Sequence, residues 1–249
     1  MTRRPFMLVD LLLLIAVTAV LAGLLLSALN RMRNVAQEVL CLGNKKDCIK
    51  GMAAYGNDND GMFVILQKNQ FAESNRWGWN YYLGCGKGRQ DFRRGKYIDF
   101  SSTRCPLMKK RTDNNFHLDS FGMDSTCHVA ESMVGPRALL GLYWVGEVGR
   151  DNRYMDSRKM KTPEVTAVFA DTVRADHPGK YMSINIFHQT DAEKWSKMKI
   201  APFMGHSRKN PVAFADGHAA MRSGDELYNS PYWLKVWTEN ATGTELVER

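Results

Sequence analysis

The sequence predicts an α+β protein in which one long N-terminal α-helix packs on a head built mainly of antiparallel β-sheet. Three observations carry that prediction. An apolar run occupies Phe6 to Leu29, interrupted only by Asp10, Thr18, Gly23 and Ser27. Beyond it, Met32, Val35, Val39, Leu42, Ile49 and Met52 recur near three- and four-residue spacing, with Arg33, Asn34, Glu38, Asn44, Lys45 and Asp47 between them, the stripe of a half-exposed helix. From Met62 the period changes to short runs rich in β-branched and aromatic residues, separated by Gly, Asn, Asp and Pro, which is strand patterning.

The apolar run is the first element to justify. As a helix it would extend about 36 Å, enough to cross a hydrocarbon core of about 30 Å with some tilt. Arg3 and Arg4 precede it, so a cleaved secretory signal is the rival reading. Such a signal has an apolar region of about 7 to 15 residues closed by small residues, whereas here apolarity continues through Leu24, Leu25 and Leu26 into Asn30 and Arg31. A retained span over residues 6–30 is the reading adopted. Arg3 and Arg4, with a long domain after the span, would place its N-terminus in the cytoplasm and the following domain outside the membrane, against the opposing pull of Arg31 and Arg33. Asp10 is costly at mid-membrane, by roughly 2.5 to 3.5 kcal/mol on insertion scales, and so belongs at headgroup depth or beside a positive group of a neighbouring subunit.

Composition bounds the remainder. The chain has 249 residues, 44% of them hydrophobic and 10% aromatic, which favours a packed fold over disorder. The net charge of +8 can attract anionic polymers or lipid headgroups, though solvated loops account for its small groups of Lys and Arg. Five cysteines, Cys41, Cys48, Cys85, Cys105 and Cys127, leave at least one without an intrachain partner. Cys41 and Cys48 cannot bridge on one helix, because seven residues rise about 10.5 Å, beyond the Cα limit of about 7 Å. Cys85 with Cys105 is the preferred pair.

In chain order, an amphipathic continuation over 31–56 should stop near Gly56, where Asn57-Asp58-Asn59-Asp60-Gly61 is a dense turn signal. A calcium loop is the sharper reading of that patch, but the acidic residue an EF-hand needs further on is missing. The head occupies 57–249. Strands are expected at Met62–Leu66, Trp77–Leu83, Leu139–Val145, Val165–Ala170, Tyr181–Phe187 and Val212–Ala215, with an irregular, Cys-containing insertion around 87–133. Trp77, Trp79, Tyr81 and Tyr82 are either sheet-face packing or a platform for sugars or bases. Val212 to Ala215, the tight turn Asp216-Gly217 and a return strand from His218 compose a hairpin.

The basic leader, Phe6-Met7-Leu8-Val9-Asp10-Leu11-Leu12 and the long helix closed by Ala28-Leu29-Asn30 resemble the N-terminus of type IV prepilins and type II secretion pseudopilins. That resemblance implies a pilin-like fold, a leader over 1–5, cleavage between Pro5 and Phe6 by a prepilin peptidase, and methylation of the new amine. It also implies that Asp10 pairs with a terminal amine during assembly. Pro5 stands where the family carries Gly, and Asp10 where it carries Glu. His206, nine residues, then Asp216 and Gly217 is similar to the C-terminal motif of a prepilin-like family. Cys41-Leu42-Gly43-Asn44, Arg104-Cys105-Pro106 and Phe169-Ala170-Asp171-Thr172 add to the likeness.

Two readings of the His and Asp residues stay open. Asp171, His206, Asp216 and His218 can bind a divalent metal if their strands converge. Alternatively His206 bonds the Asp216 turn and locks the hairpin, which is the plainer reading. Catalytic motifs such as Gly-x-Ser-x-Gly, His-Glu-x-x-His and the P-loop are absent from the sequence, so no enzyme is expected. The expectation is a pilin-like or pseudopilin-like subunit of a bacterial envelope filament or type II secretion system. It would be single-pass in the inner membrane, with a periplasmic or extracellular head, and its partners would be lipid and other pilin-like subunits. The alternative is a membrane-tethered module that binds polysaccharide or nucleic acid.

Overall fold

A computed structural model describes residues 8–68, 76–84, 97–107, 120–123, 144–146, 153–174, 200–229, 236–239 and 246–248. The chain divides into two compact units, Met1–Val39 and Leu40–Arg249. One helix, α1 (Leu8–Asp58), supplies the described part of the first unit and opens the second. Within the first unit the large apolar side chains from Leu8 to Val39 are solvent-exposed, as Leu8 at 75% and Leu25 at 61% illustrate. By length and composition this helix can cross a membrane.

Inside the second unit the buried side of α1 is Cys41, Lys45, Cys48, Ile49, Met52 and Tyr55, which recur at helical spacing on one face. The expected stripe therefore needs correcting at its start. Met32, Val35 and Val39 are exposed, and inward packing begins at Cys41 with a lysine on the apolar face. The helix ends two residues later than expected. Asp60 adopts a left-handed φ of 52°, Gly61 follows at 75°, and the Gly61 N–H donates to the Gly56 carbonyl at 2.8 Å, the 6→1 bond of a Schellman stop. The Asn-Asp patch is thus a helix terminator, and Asp58 accepts a hydrogen bond from the Tyr97 hydroxyl at 2.8 Å.

The strands are β1 (Met62–Lys68), β2 (Arg76–Gly78), β3 (Gly122–Met123), β4 (Trp144–Gly146), β5 (Arg153–Asp156), β6 (Ala167–Ala170), β7 (Thr172–Arg174), β8 (Ile200–Pro202), β9 (Lys209–Phe214), β10 (Ala219–Ser223), β11 (Val236–Thr238) and β12 (Leu246–Glu248). Every pairing among them is antiparallel. They form two four-stranded sheets, β2-β1-β5-β4 and β10-β9-β6-β3, and two ribbons, β7-β8 and β11-β12, where the sequence suggested one sheet. A single buried cluster joins Ile49 and Met52 of α1 to Phe63, Trp79, Phe121, Phe169, Val212 and Phe214. A short helix α3 (Gly224–Tyr228) follows β10, started by a capping box between Ser223 and Glu226.

Two regions differ from expectation. Of the expected Trp77–Leu83 strand only Trp77 and Gly78 are extended, in β2; from Trp79 the chain turns into the helix α2 (Trp79–Gly84). The reason is spacing, because Trp79, Tyr82 and Leu83 all enter the core and three- and four-residue separations share a face only on a helix. The segment around 87–133, expected to be irregular, contributes a 3-10 turn at Phe100–Thr103 and the edge strand β3. It also supplies the buried residues Ile98, Cys105, Phe121 and Met123. Of the expected Leu139–Val145 strand, the described part is Trp144 and Val145 in β4. The expected Tyr181–Phe187 strand lies outside the described residues.

The α2 terminus illustrates how closely this head is packed. Tyr97 and Ile98 both donate backbone N–H groups to the Leu83 carbonyl, at 2.8 and 3.1 Å. A Cβ on Gly84 would land on the Ile98 carbonyl oxygen. Gly84→Ala is therefore expected to lower unfolding free energy by about 1–3 kcal/mol through overpacking, read from urea denaturation of the full chain in detergent.

Candidate functional site

At the heart of the second unit, four elements converge on one buried group of polar side chains. Cys41 and Lys45 lie one turn apart on α1. Cys105 follows the 3-10 turn, positioned in part by Asn44, whose amide donates to the neighbouring Arg104 carbonyl at 3.2 Å. Asp171 stands between β6 and β7, and Asn210 of β9 brackets its backbone. The Asp171 N–H donates to Asn210 Oδ1 and Asn210 Nδ2 donates to the Asp171 carbonyl, both at 2.9 Å.

His206 is delivered by a tight turn. The His206 and Lys209 backbones exchange hydrogen bonds at 3.2 and 2.9 Å, while Ser207 and Arg208 between them take φ of 50° and 61°. Such a primed turn normally employs Gly or Asn. Two non-glycine residues in left-handed conformation store local strain next to this cluster.

The side-chain geometry is compact. His206 Nε2 lies 3.1 Å from Cys105 Sγ and 3.3 Å from Asp171 Oδ2. Cys41 Sγ is 3.7 and 3.8 Å from the two Asp171 oxygens. Lys45 Nζ forms an ion pair with Asp171 Oδ1, approaches Cys41 Sγ at 3.8 Å and sits 3.5 Å above the Phe121 ring. Solvent does not reach this group: Cys41, Lys45 and Asp171 are 0% exposed, Cys105 1% and His206 2%.

Burial on this scale disfavours every charge, so neighbours must compensate. Burial alone pushes the Cys41 thiol up, but hydrogen bonding with Cys105 and His206 and the Lys45 ammonium outweigh it, bringing its pKa to about 7. Burial opposes ionisation of Asp171, and the charges of Lys45 and His206 overcome it, holding the carboxylate below its ordinary range. Burial would neutralise Lys45, yet Asp171 and Cys41 raise its pKa instead. Burial likewise works against a charged His206, and Asp171 and Cys41 raise it to about 9. Cys105 is shifted upward by burial, by Cys41 and by Asp171, and keeps its proton.

Against the residues singled out from sequence, the outcome is divided. Asp171 and His206 meet as a metal reading requires, but Asp216 and His218 are not their companions. They pair with each other, Asp216 Oδ1 to His218 Nδ1 at 2.6 Å, at the half-exposed β9-β10 turn where Gly217 takes φ 95°. The nine residues from His206 to Asp216 contain the six-residue β9, and an extended strand of that length separates its ends by roughly 20 Å. For the same reason His206 does not lock the Asp216 turn. Cys105 is a free thiol, as is Cys41, and not the bridged residue expected; Cys85 lies outside the described residues. Pro5 and Phe6 also lie outside them, and Asp10 occupies the first turn of α1, where the helix dipole favours a carboxylate. Lys45, which the sequence pattern places among the polar residues of the helix, is not singled out there as a site residue. The usable signal was its position four residues after Cys41 on the face that also carries Cys48, Ile49 and Met52.

Fold and site together define an α+β protein in which, among the described residues, one helix is apolar enough to span a membrane and the head encloses a Cys-Lys-Cys-Asp-His cluster. No protein-family model matches the chain, and neither a curated protein nor a solved structure does.

Proposed function

We propose that this protein is a pilin-like or pseudopilin-like subunit that assembles through its N-terminal helix into an envelope filament or secretion pseudopilus. The observation that carries this reading is the exposed apolar length of α1: from Leu8 to Leu40 its large apolar side chains lie on the surface. An isolated apolar surface of that extent requires a cover. Lipid supplies it before assembly, and equivalent helices of neighbouring subunits supply it afterwards. The same helix, Leu8–Asp58, also contributes Ile49 and Met52 to the core of the head. Asp10, the acidic group of the first turn, would set register, because a carboxylate buried between helices needs a cationic partner.

The role is structural. In the head, Trp79 and Tyr82 are buried, which removes both from service as a stacking platform for sugars or bases and weighs against the tethered-binder alternative. The test is Asp10→Ala in the full chain, expressed in its native membrane with Leu14→Cys and Leu26→Cys added, two reactive sites per copy, for crosslinking by a bifunctional thiol reagent. The variant is expected in the membrane fraction at wild-type level but without the crosslinked ladder of the parent. A parent that yields no ladder, or a variant that yields the same one, would overturn the assembly role.

A further inference from the structure

We propose that Cys41, Cys105, Asp171 and His206 form a structural zinc site. Their ligating atoms all lie within 4.8 Å of one another and all four residues are buried. Tetrahedral zinc, with bonds of about 2.3 Å to sulfur and about 2.0 Å to nitrogen or oxygen, holds adjacent ligand atoms roughly 3.3 to 3.8 Å apart. The separations here fall in or next to that span: 3.3 Å from His206 Nε2 to Asp171 Oδ2, 3.1 Å from Cys105 Sγ to His206 Nε2 and 3.7 Å from Cys41 Sγ to Asp171 Oδ2. The donor set of two sulfurs, one imidazole and one carboxylate suits zinc and is too soft for calcium or magnesium.

Charge supplies an independent argument. Binding would displace the protons of the Cys105 thiol and His206 imidazolium to solvent, and zinc with two thiolates, one carboxylate and a neutral imidazole carries a net charge of minus one, which is costly where solvent is excluded. Lys45 cancels it. Its ammonium pairs with Asp171 Oδ1, leaving Oδ2 turned toward His206 and available to the metal. Asn210 holds the Asp171 backbone from both sides, the outer support that ligating carboxylates receive in metal sites. With four protein ligands and no exposed position, the site is closed and hence structural. It would tie α1 to the segment after the 3-10 turn, to the β6-β7 junction and to the turn before β9, independently of whether the membrane half assembles.

The experiment uses the full chain purified in detergent without chelator, with elemental analysis, and with cobalt(II) substituted for the native metal. The expected result is a single zinc per chain. Cobalt should give the intense ligand-field bands of a four-coordinate site and a thiolate charge-transfer band. Cys105→Ser and His206→Ala should each weaken zinc retention at least about tenfold, as loss of a ligand exceeds the tenfold to hundredfold effect of an outer-shell change. Asp216→Ala and His218→Ala should leave it unaltered. The proposal fails if the wild-type protein carries no metal and its cobalt form lacks a thiolate band. It fails equally if the protein isolates with the mass loss of two hydrogens and a Cys41–Cys105 disulfide in non-reducing peptide maps. Because the cobalt spectrum is read on the wild type, a variant that does not fold leaves the result decisive.

Discussion

Lys45→Met should lower the unfolding free energy of this protein by about 3–5 kcal/mol, the cost of stripping one partner from a buried ion pair. Lys45 and Asp171 are both fully enclosed, so the carboxylate keeps His206 but loses its ammonium partner with no water to replace it, and the Phe121 ring loses the ammonium above its face. Methionine conserves much of the side-chain volume, which isolates the charge from a cavity effect. Urea denaturation of the full chain in detergent, followed by tryptophan fluorescence, measures the change. Lys46→Met, one position along on the exposed side of α1, should stay within about 0.5 kcal/mol of wild type. Adding Asp171→Leu to Lys45→Met should cost less than the two single losses combined, with a coupling of roughly 0.5–3 kcal/mol. A Lys45→Met protein as stable as the parent would mean that this lysine reaches solvent.

Trp79→Ala should be comparably severe, about 3–5 kcal/mol for truncating a large buried aromatic residue. Trp79 is 0% exposed, lies 4.3 Å from the Phe169 ring centroid at 45°, and donates its indole N–H to the Phe121 carbonyl at 3.1 Å. Trp79→Phe separates the contributions: most packing is kept, while the Phe121 carbonyl is left without that donor at a cost of about 1–3 kcal/mol. The same denaturation experiment reads both. A sugar- or base-stacking residue would behave in the opposite way, tolerating alanine in stability and losing ligand. An unfolding midpoint unmoved by Trp79→Ala would therefore return Trp79 to the surface.

These two residues show where sequence reading stopped. Trp79 was visible as an aromatic in an alternating run, and alternation suggested a strand; burial of Tyr82 and Leu83 beside it made the segment helical instead. Lys45 was read among the polar residues of a half-exposed helix, because a lysine on an apolar face looks like solvent patterning until its carboxylate is located. That carboxylate is 126 positions away. Cys105 and His206 meet across 101 positions, and nothing periodic in either neighbourhood announces the other.

Local chemistry was legible where the signal was strong. The amino-acid order by itself determined the apolar helix, the change from helical to strand period at Met62, the Asp60-Gly61 helix stop and the Asp216-Gly217 hairpin, since each depends on residues within a turn or two of one another. Only the tertiary structure decided that α1 turns inward at Cys41, that the strands divide into two four-stranded sheets, and that Cys41, Lys45, Cys105, Asp171 and His206 share one dry pocket. Such a pocket arises from long-range strand order and from the balancing of charge under burial, and both are properties of the folded chain as a whole.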